Sequence, residues 1–332
     1  MIITKTPFRI SFAGGGSDLE EFYAQSPGAV LSATINKYMY LSTHRFFEKH
    51  RLRIKYSKTE TVDCAAEVRH PIVREVLRQF QVEGALEISS NADVPAGTGL
   101  GSSSAFTVGL LHNMHTVSGR FVTKAQLAAE ACEIEINRLG EPIGKQDQYA
   151  AAFGGLNVIE FLPSGQVTVG PIHLPREVYD TLQANLLLFY VGNARSAATI
   201  LGEQKANMQK ADKVGNVKRM VELVWELREA LYAGELHRFG EILDRGWRLK
   251  QSLAAAISDG RLDGIYERAI AAGATGGKLL GAGGGGFMLF YCEPENQPVL
   301  RAAMTQWELD EMRFRFDNEG SKLIYVGDEY ES

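Results

Sequence analysis

The sequence predicts an α+β fold in two packed parts, and three observations point to it. First, segments rich in β-branched and aromatic residues dominate the opening of the chain, at residues 2–12, 28–46 and 51–56. Second, a glycine-rich loop at residues 95–101 leads into a helix with one apolar face. Third, long helical periodicity begins beyond Ser196, so we expect a boundary near residues 180–195 and divide the chain into domains 1–185 and 186–332.

Composition and charge limit the class of protein. The chain has 332 residues and 45% hydrophobic content, which is enough for a substantial core. Its 35 Lys and Arg against 40 Asp and Glu leave a net charge of −5, so neither nucleic acid nor a membrane is an expected partner. Three widely separated cysteines predict neither a disulfide framework nor a zinc site. No signal segment or membrane-length apolar run is present, so we expect a cytoplasmic protein.

The first element is a strand that runs into a glycine turn and the start of a helix. The strand is broken by AGGGSD at residues 13–18. Arg9 and Asp18 lie on either side of this turn, so both are placed to face one ligand. The alternatives are that Asp18 only caps the helix and that Arg9 is a cation on the strand surface. The segments 28–46 and 51–56 are expected to be antiparallel strands. The basic face of the second strand could contact a phosphate, but a strand face exposed to solvent is the commoner explanation.

The stretch PAGTGLGSSSA at residues 95–105 is the strongest functional signal in the chain. Glycines at alternate positions let the backbone turn tightly and approach a ligand, and hydroxyls follow where an apolar helix begins. The helix therefore directs free N–H groups and its positive dipole end into the loop, which predicts an anion site for phosphate. No Gly-Lys-Ser/Thr follows, so this is not the loop of P-loop proteins. A glycine turn capped by serines is the structural alternative.

Two carboxylates after the loop are candidate functional groups. Thr123 opens a helix that runs to about Leu139, and Glu135 lies on its small-residue face. A carboxylate on a packed face needs a partner, which is either a lysine or arginine or a metal ion. Asp147 stands where the next helix starts, after a loop marked by Pro142. It is either a functional carboxylate or the cap of that helix.

The rest of the chain alternates helices with short apolar strands. Further strands are expected at residues 156–161, 166–169, 186–191, 287–291, 313–316 and 323–326. Apolar periodicity predicts helices over residues 217–231 and 236–247, and another is expected over 298–307. The run at 281–286 matches G-x-G-x-x-G, but it precedes a strand, so we reject a dinucleotide-binding fingerprint. His112 and His115 lack further ligands and are weak evidence for a metal.

Taken in order, residues 9–18, 95–105 and 278–286 resemble the three motifs of the GHMP kinase superfamily, which includes galactokinases, homoserine kinases, mevalonate kinases and phosphomevalonate kinases. Residues 6–19 and 141–148 look most like the D-glycero-D-manno-heptose 7-phosphate kinases. The resemblance spans nearly the whole chain. It implies a two-domain fold with a left-handed βαβ crossover in the N-terminal domain, a ferredoxin-like helix-and-sheet layer in the C-terminal domain, and an active site in the cleft between them.

The resemblance also implies an activity. It implies ATP-dependent phosphorylation of the anomeric hydroxyl of a heptose 7-phosphate to the 1,7-bisphosphate, for nucleotide-activated heptose and surface polysaccharide. ATP and Mg²⁺ are the implied cofactors and a sugar phosphate the implied partner, and a homodimer is left open. The alternatives are a related sugar-1-kinase, acting on fucose, galactose or an amino sugar, and a catalytically silent sensor of sugar and ATP. Because Asp147 and Glu135 are both present, an active kinase is favoured.

Residue roles follow from the resemblance position by position. The ATP phosphates would be wrapped by Gly97, Gly99, Leu100, Gly101, Ser102, Ser103 and Ser104. Mg²⁺ would be bound by Ser103, with Ser104 as the alternative, and by Glu135. Asp147, twelve residues after Glu135, would accept or orient the proton of the sugar hydroxyl, and Arg9 would stabilise Asp147 and the transferring phosphoryl group. The substrate would be contacted by Asp18, Gly15, Gly16, Gly284 and Gly285. Arg195 is a further candidate, for the distal phosphate of the substrate, and it rests on charge and location alone.

Overall fold

The structure, a computed structural model, describes residues 1–192 and 197–327. Within these ranges the strands are β1 (Ile2–Ala13), β2 (Gly28–Arg45), β3 (Leu52–Lys55), β4 (Thr59–Val62), β5 (Leu86–Ala92), β6 (Leu156–Phe161), β7 (Val167–Pro171), β8 (Leu186–Gly192), β9 (Gly276–Leu279), β10 (Gly286–Tyr291), β11 (Asp310–Glu311), β12 (Phe316–Asp317) and β13 (Lys322–Val326). None of the helices found there has the length and apolar character needed to cross a lipid bilayer.

The described α-helices are α1 (Glu20–Tyr23), α2 (Pro71–Gln79), α3 (Ser102–Val117), α4 (Lys124–Cys132), α5 (Gln146–Phe153), α6 (Arg176–Asn185), α7 (Ala197–Asn207), α8 (Ala211–Ala233), α9 (Leu236–Gln251), α10 (Gly260–Ala271) and α11 (Gln297–Thr305). A π-helical segment, Glu133–Arg138, continues α4. Short 3₁₀ turns occupy Ala65–Glu67 and Ala255–Ile257.

The first sheet is organised around β1 and the long strand β2, which pair antiparallel along most of their length. Its main order is β13-β1-β2-β5-β3-β4, while β6 and β12 pair with other parts of β2 and β7 pairs with β6. The helices α3 and α5 pack on β1 and β2, and α8 from the second half of the chain contacts the same two strands. The first eight residues of β2 are all buried, as is expected of a strand covered on both faces.

The parallel pair in this sheet is formed by β3 and β5, and the chain between them passes through β4 and α2. Parallel neighbours need such a crossover connection. The two strands therefore supply the crossover unit that the resemblance implied. The left hand of that connection stays a prediction.

The second sheet has the antiparallel order β11-β8-β10-β9. Along the chain, helices α7 to α10 connect β8 to β9, β10 follows β9, and α11 connects β10 to β11. This is the βαββαβ arrangement of a ferredoxin-like layer. Phe290 of β10 lies 5.9 Å from the ring of Tyr266 in α10, which in turn lies 6.1 Å from Trp247 in α9. The prediction of an α+β fold with a C-terminal helix-and-sheet layer is confirmed.

The end of the chain returns to the first sheet. The division after residue 185 falls between α6 and β8, but β12 and β13 pair with β2 and β1. Ser321, just before β13, lies with its Oγ 2.9 Å from Thr6 Oγ1 and 3.0 Å from His112 Nδ1. We therefore propose that residues 316–326 group with the N-terminal domain, although they fall within the 186–332 range.

Candidate active site

A cavity of about 450 Å³ opens between the two halves of the molecule. Of the residues that the sequence indicated, it is lined by Arg9, Gly15, Gly16, Asp18, Gly97, Gly99, Gly101, Ser102, Ser103, Ser104, Glu135, Asp147 and Gly285. Leu100 and Gly284 are not part of its lining. Leu100 is fully buried, and its carbonyl accepts a hydrogen bond from the Arg9 N–H at 3.0 Å. Arg195 lies outside the described residues.

The loop before α3 has the backbone shape of an anion site. Gly99 and Gly101 have φ values of +84° and +74°, in the left-handed region that favours glycine. Gly101 is the N-cap of α3, and the first bond of the helix runs from the Ala105 N–H to the Gly101 carbonyl. The N–H groups of the three serines after Gly101 precede this first bond, so they have no intrahelical acceptor and are available to an anion.

The two glycine runs of the sequence meet at this cavity. A Cβ added to Gly99 would lie 2.6 Å from the carbonyl oxygen of Leu280, and one added to Gly281 would lie 2.5 Å from Gly99 Cα. A Cβ on Gly286 would come within 2.4 Å of the carbonyl oxygen of Thr98. Side chains do not fit at such distances, so glycine is what lets the C-terminal loop lie directly against the loop before α3.

Arg9 and Asp147 form a bidentate ion pair at the N-terminus of α3. Arg9 Nε and Nη2 donate to the two carboxylate oxygens of Asp147 at 2.7 Å each, and Nη1 donates to the Gly99 carbonyl at 2.6 Å. The arginine side chain is 5% exposed and that of Asp147 22%, so the carboxylate is the more accessible member of the pair. Two parallel bonds fix the orientation of both groups. Lys145 occupies the N-cap position of α5, so Asp147 is not the cap of that helix.

The pairing of β1 with β2 is irregular just before Arg9. The pairing of β1 with β2 slips between Pro7 and Phe8. Before the slip, Thr6 faces α3, where its Oγ1 would lie 2.8 Å from a Cβ added to Gly109. Arg9 also faces α3, although strict alternation would put side chains three residues apart on opposite faces. At this irregularity Asn36 and Lys37 of β2 have no register partner on β1. Bulges of this kind are common beside functional sites.

Glu135 lines the cavity and is 1% exposed. Ser103 Oγ donates to its Oε1 at 3.0 Å, and Gln148 Nε2 donates to its Oε2 at 2.7 Å. Burial raises the pKa of this carboxyl, and the hydrogen bonds from Gln148 and neighbouring hydroxyls oppose that rise. Among the described residues no lysine or arginine forms an ion pair with Glu135.

The surroundings of Glu135 fit Mg²⁺. A carboxylate and a hydroxyl are the hard oxygen ligands that this ion prefers. The described ranges contain no group of three His, Cys, Asp or Glu side chains able to hold a metal by themselves. An ion at Ser103 and Glu135 would therefore also need oxygen ligands from phosphate and water, which is how Mg²⁺ is usually held in kinase sites.

Asp18 is a buried carboxylate held in place by its neighbours. The Gly16 N–H donates to Oδ1 at 3.0 Å, and the backbone N–H and Nε2 of Gln146 donate to Oδ2 at 3.2 and 3.1 Å. Burial, and after it the negative charge of Asp147, raises the pKa of Asp18. Leu19 occupies the N-cap position of α1, so Asp18 is not its cap. The carboxyl group instead lines the cavity.

Some cavity residues were not singled out from the sequence, among them Ser11, Gln204, Lys250 and Lys278. Lys250 could have been identified from the sequence. It follows the buried Leu243 and Trp247 at spacings of seven and three, so the helical pattern places it on the apolar face of α9. Lys278 lies in β9, where every residue is buried. A cation in the middle of an apolar pattern points to a specific partner.

The site combines an anion-binding helix terminus, a carboxylate oriented by arginine and a buried carboxylate suited to Mg²⁺. Phosphoryl transfer is chiefly a matter of alignment and charge neutralisation, and these groups supply both. The fold and the site together define a phosphotransferase in which both halves of the chain contribute to one cavity.

Matches to known protein families agree with the assignment as a phosphotransferase. Residues 62–155 match the GHMP kinases N terminal domain, and residues 227–307 match the GHMP kinases C terminal domain. The chain belongs to the GHMP kinase family and is an ATP-dependent sugar kinase. Enzymes of this family generally use Mg²⁺, whose charge offsets that of the phosphates when it is bound.

Two relatives and one solved structure are kinases of sugars or sugar phosphates. A D-glycero-alpha-D-manno-heptose 7-phosphate kinase of Campylobacter jejuni is 30% identical over 97% of this chain and 98% of its own length. A galactokinase of Pyrococcus furiosus is 26% identical over 86% of this chain and 87% of its own. The crystal structure of a D-glycero-D-manno-heptose 1-phosphate kinase from Bacteroides thetaiotaomicron has a TM-score of 0.81 and 26% identity, covering 99% of this chain and 100% of its own.

Proposed function

We propose that this sugar kinase phosphorylates the anomeric hydroxyl of D-glycero-D-manno-heptose 7-phosphate with ATP, giving the 1,7-bisphosphate and ADP. The observation that carries the reaction is the Asp147 carboxylate, which Arg9 holds by two bonds beside the N-terminus of α3. The choice of sugar draws its support from the heptose 7-phosphate kinase that is similar over 97% of the chain. A cytoplasmic location, where ATP is supplied, is part of the same proposal.

In this reaction the oxygen at C1 of the sugar forms a bond to the terminal phosphorus of ATP as the bond from that phosphorus to ADP breaks. Asp147 accepts the proton of the sugar hydroxyl, and Arg9 keeps the carboxylate turned toward the cavity. The N–H groups at the start of α3 bind the phosphate oxygens. Ser103 and Glu135 would hold Mg²⁺ against those oxygens.

The sugar lies, in this proposal, on the other side of Asp147 from the glycine loop. Asp18 accepts hydrogen bonds from its hydroxyls, and Gly15 and Gly16 let the ring approach the turn after β1. Gly285 also lines the cavity. A Cβ added to Gly15 would meet no atom within 4 Å. The space beside Gly15 is therefore open, which leaves room for a sugar ring on this side of the cavity.

Phosphorus NMR of the products formed from Mg-ATP and a panel of acceptors tests the function. The panel contains heptose 7-phosphate, heptose 1-phosphate, galactose and fucose. The two heptose phosphates give the same bisphosphate, so the consumption of each acceptor is followed as well as the product. We expect a new anomeric phosphate from the 7-phosphate alone. Consumption of the 1-phosphate instead, or phosphorylation of a neutral sugar only, would overturn the choice of substrate.

A further inference from the structure

Two buried ammonium groups line the cavity beyond the residues assigned so far. Lys250 is 6% exposed, and its Nζ donates to the carbonyl oxygens of Leu279 and Gly281 at 3.1 and 2.5 Å. Lys278 is also buried, and its Nζ donates to the Phe12 carbonyl at 3.0 Å. Since an ammonium group carries three donors, both lysines keep hydrogen-bonding capacity for a ligand.

Neither lysine is balanced by a carboxylate in the described part of the chain, where their hydrogen bonds go to carbonyl oxygens. Arg9, the third cation here, is already paired with Asp147. Burial, and after it the charge of Arg9, lowers the pKa of Lys250 to about 7. Burial, Lys250 and Arg9 lower the pKa of Lys278 well below its usual range. An anion bound between these groups would relieve both effects.

Ser11 adds an unpaired hydroxyl to the same region. It is buried and lines the cavity, and its Oγ has no hydrogen-bond partner among the described residues. Buried hydroxyl groups are normally hydrogen-bonded, so an unpaired one at a cavity wall points to a ligand. Ser11 lies two residues after Arg9 on β1 and therefore on the same face of the strand.

These groups lie close to the reacting centre. Gly281, whose carbonyl accepts from Lys250, lies directly against Gly99, whose carbonyl accepts from Arg9 Nη1. The other carboxylates that line the cavity have partners of their own or are exposed. They are Asp18, bound by Gly16 and Gln146, Glu135, bound by Ser103 and Gln148, and the exposed Glu141.

We propose that Lys250, Lys278 and Ser11 form an oxyanion subsite that binds a phosphoryl group of the substrate pair. The group is either the terminal phosphate of ATP or the phosphate that the sugar already carries, since both present the same tetrahedral array of charged oxygens. The inference rests on the kinase activity of the chain, and it depends on the proposed heptose phosphate only for the second source.

The pH dependence of kcat/KM in the Lys250→Arg variant tests this subsite. Because kcat/KM reports ionisations of the enzyme before the varied substrate binds, loss of the Lys250 proton appears as a fall above pH 7. In the wild-type enzyme we expect kcat/KM at pH 9 to be roughly 10- to 100-fold below its value at pH 6.5. Arginine stays charged throughout this range, so the part of the fall that Lys250 contributes should disappear in Lys250→Arg, and kcat/KM at pH 9 should rise relative to its value at pH 6.5.

Lys124→Arg is the matched control. Lys124 Nζ also donates to two carbonyl oxygens, those of Phe153 and Glu319 at 2.7 and 2.8 Å, but Lys124 does not line the cavity. We expect this variant to keep the wild-type pH profile. If Lys250 only bound carbonyl groups and no ligand, the pH profile of kcat/KM would be the same in the wild-type enzyme and in Lys250→Arg. An unchanged fall of kcat/KM at alkaline pH in Lys250→Arg would therefore overturn the proposal.

Two series of measurements identify the source of the phosphoryl group. A fall that appears when ATP is varied at saturating sugar assigns the subsite to ATP, and one confined to varied sugar phosphate assigns it to the sugar. The ATP series can be run with whichever sugar the enzyme turns over, so it stays valid if the heptose proposal fails. Should Lys250→Arg not fold, Ser11→Ala is expected to raise one of the two KM values about 3- to 10-fold. Unchanged KM values in folded Ser11→Ala would count against the subsite.

Discussion

Replacement of Asp147 by asparagine separates catalysis from binding at the centre of the site. The change removes a negative charge and a proton acceptor while it keeps the shape of the side chain. Loss of a positioned base lowers turnover by about 10² to 10⁴, or about 3–5 kcal/mol in activation free energy. In the proposed arrangement ATP binds at the N-terminus of α3 and not at this carboxylate, so its affinity should stay nearly constant.

The same change also affects folding, and the structure bounds the effect. Arg9 would keep its buried charge but lose its ionic partner, while an asparagine oxygen still accepts one of the two bonds that Asp147 now accepts. Because the Asp147 side chain is 22% exposed, water replaces part of what is lost. We expect the free energy of unfolding to fall by only about 1–2 kcal/mol.

Three measurements check this prediction: kcat from ADP release, the Kd for ATP by calorimetry, and unfolding in urea. Asp180→Asn is the control, because it breaks an exposed pair with Arg176 on α6 and should change none of the three beyond about 0.5 kcal/mol. A folded Asp147→Asn enzyme with less than a tenfold loss in kcat, or one whose ATP affinity falls in step with kcat, would refute the assignment of Asp147 as the base.

Three other changes probe the metal site, the contact between the loops and the sugar site. Glu135→Gln should raise the Mg²⁺ concentration that gives half-maximal activity at least roughly tenfold, and an unchanged Mg²⁺ titration would exclude Glu135 as a ligand. Gly99→Ala combines a φ of +84° with a Cβ 2.6 Å from the Leu280 oxygen, so unfolding in urea should show a loss of about 1–3 kcal/mol; wild-type stability would contradict this packing. Gly144→Ala would place a Cβ 2.0 Å from Asp18 Oδ2, and by displacing that carboxylate it should raise KM for the sugar about tenfold with KM for ATP unchanged; equal changes in both would argue against a sugar role.

Local patterns in the sequence predicted local structure well. Helical spacing separated Glu135, which is 1% exposed, from Glu133, whose side chain is 46% exposed. The capping-box spacing at Thr123 predicted the start of α4, where the Thr123 hydroxyl accepts from the Gln126 N–H at 3.1 Å. The hydroxyl run after Gly101 likewise marked the start of α3. Each of these features depends only on residues within one or two helical turns.

Long-range features of the site were beyond such patterns. The ion pair of Arg9 with Asp147 joins residues 138 positions apart, and the irregular pairing of β1 with β2 just before Arg9 leaves no mark in the alternation of side chains. The spacing of residues raised Arg9 and Asp147 as candidates, but only the family resemblance brought them together. Some local signals were simply missed, as at α10, where Asp259 caps the helix by accepting from the Leu262 N–H at 2.9 Å.

The return of β12 and β13 to the first sheet has a consequence for biosynthesis. β13 is the neighbour of β1, and Ser321 beside it contacts Thr6 of β1 and His112 of α3. The strand that bears Arg9 and the helix that bears the serines therefore gain their last support only when residue 326 has left the ribosome. A nascent chain halted in the second sheet would carry every residue of the phosphate loop, yet we expect it to be unable to close the site around ATP.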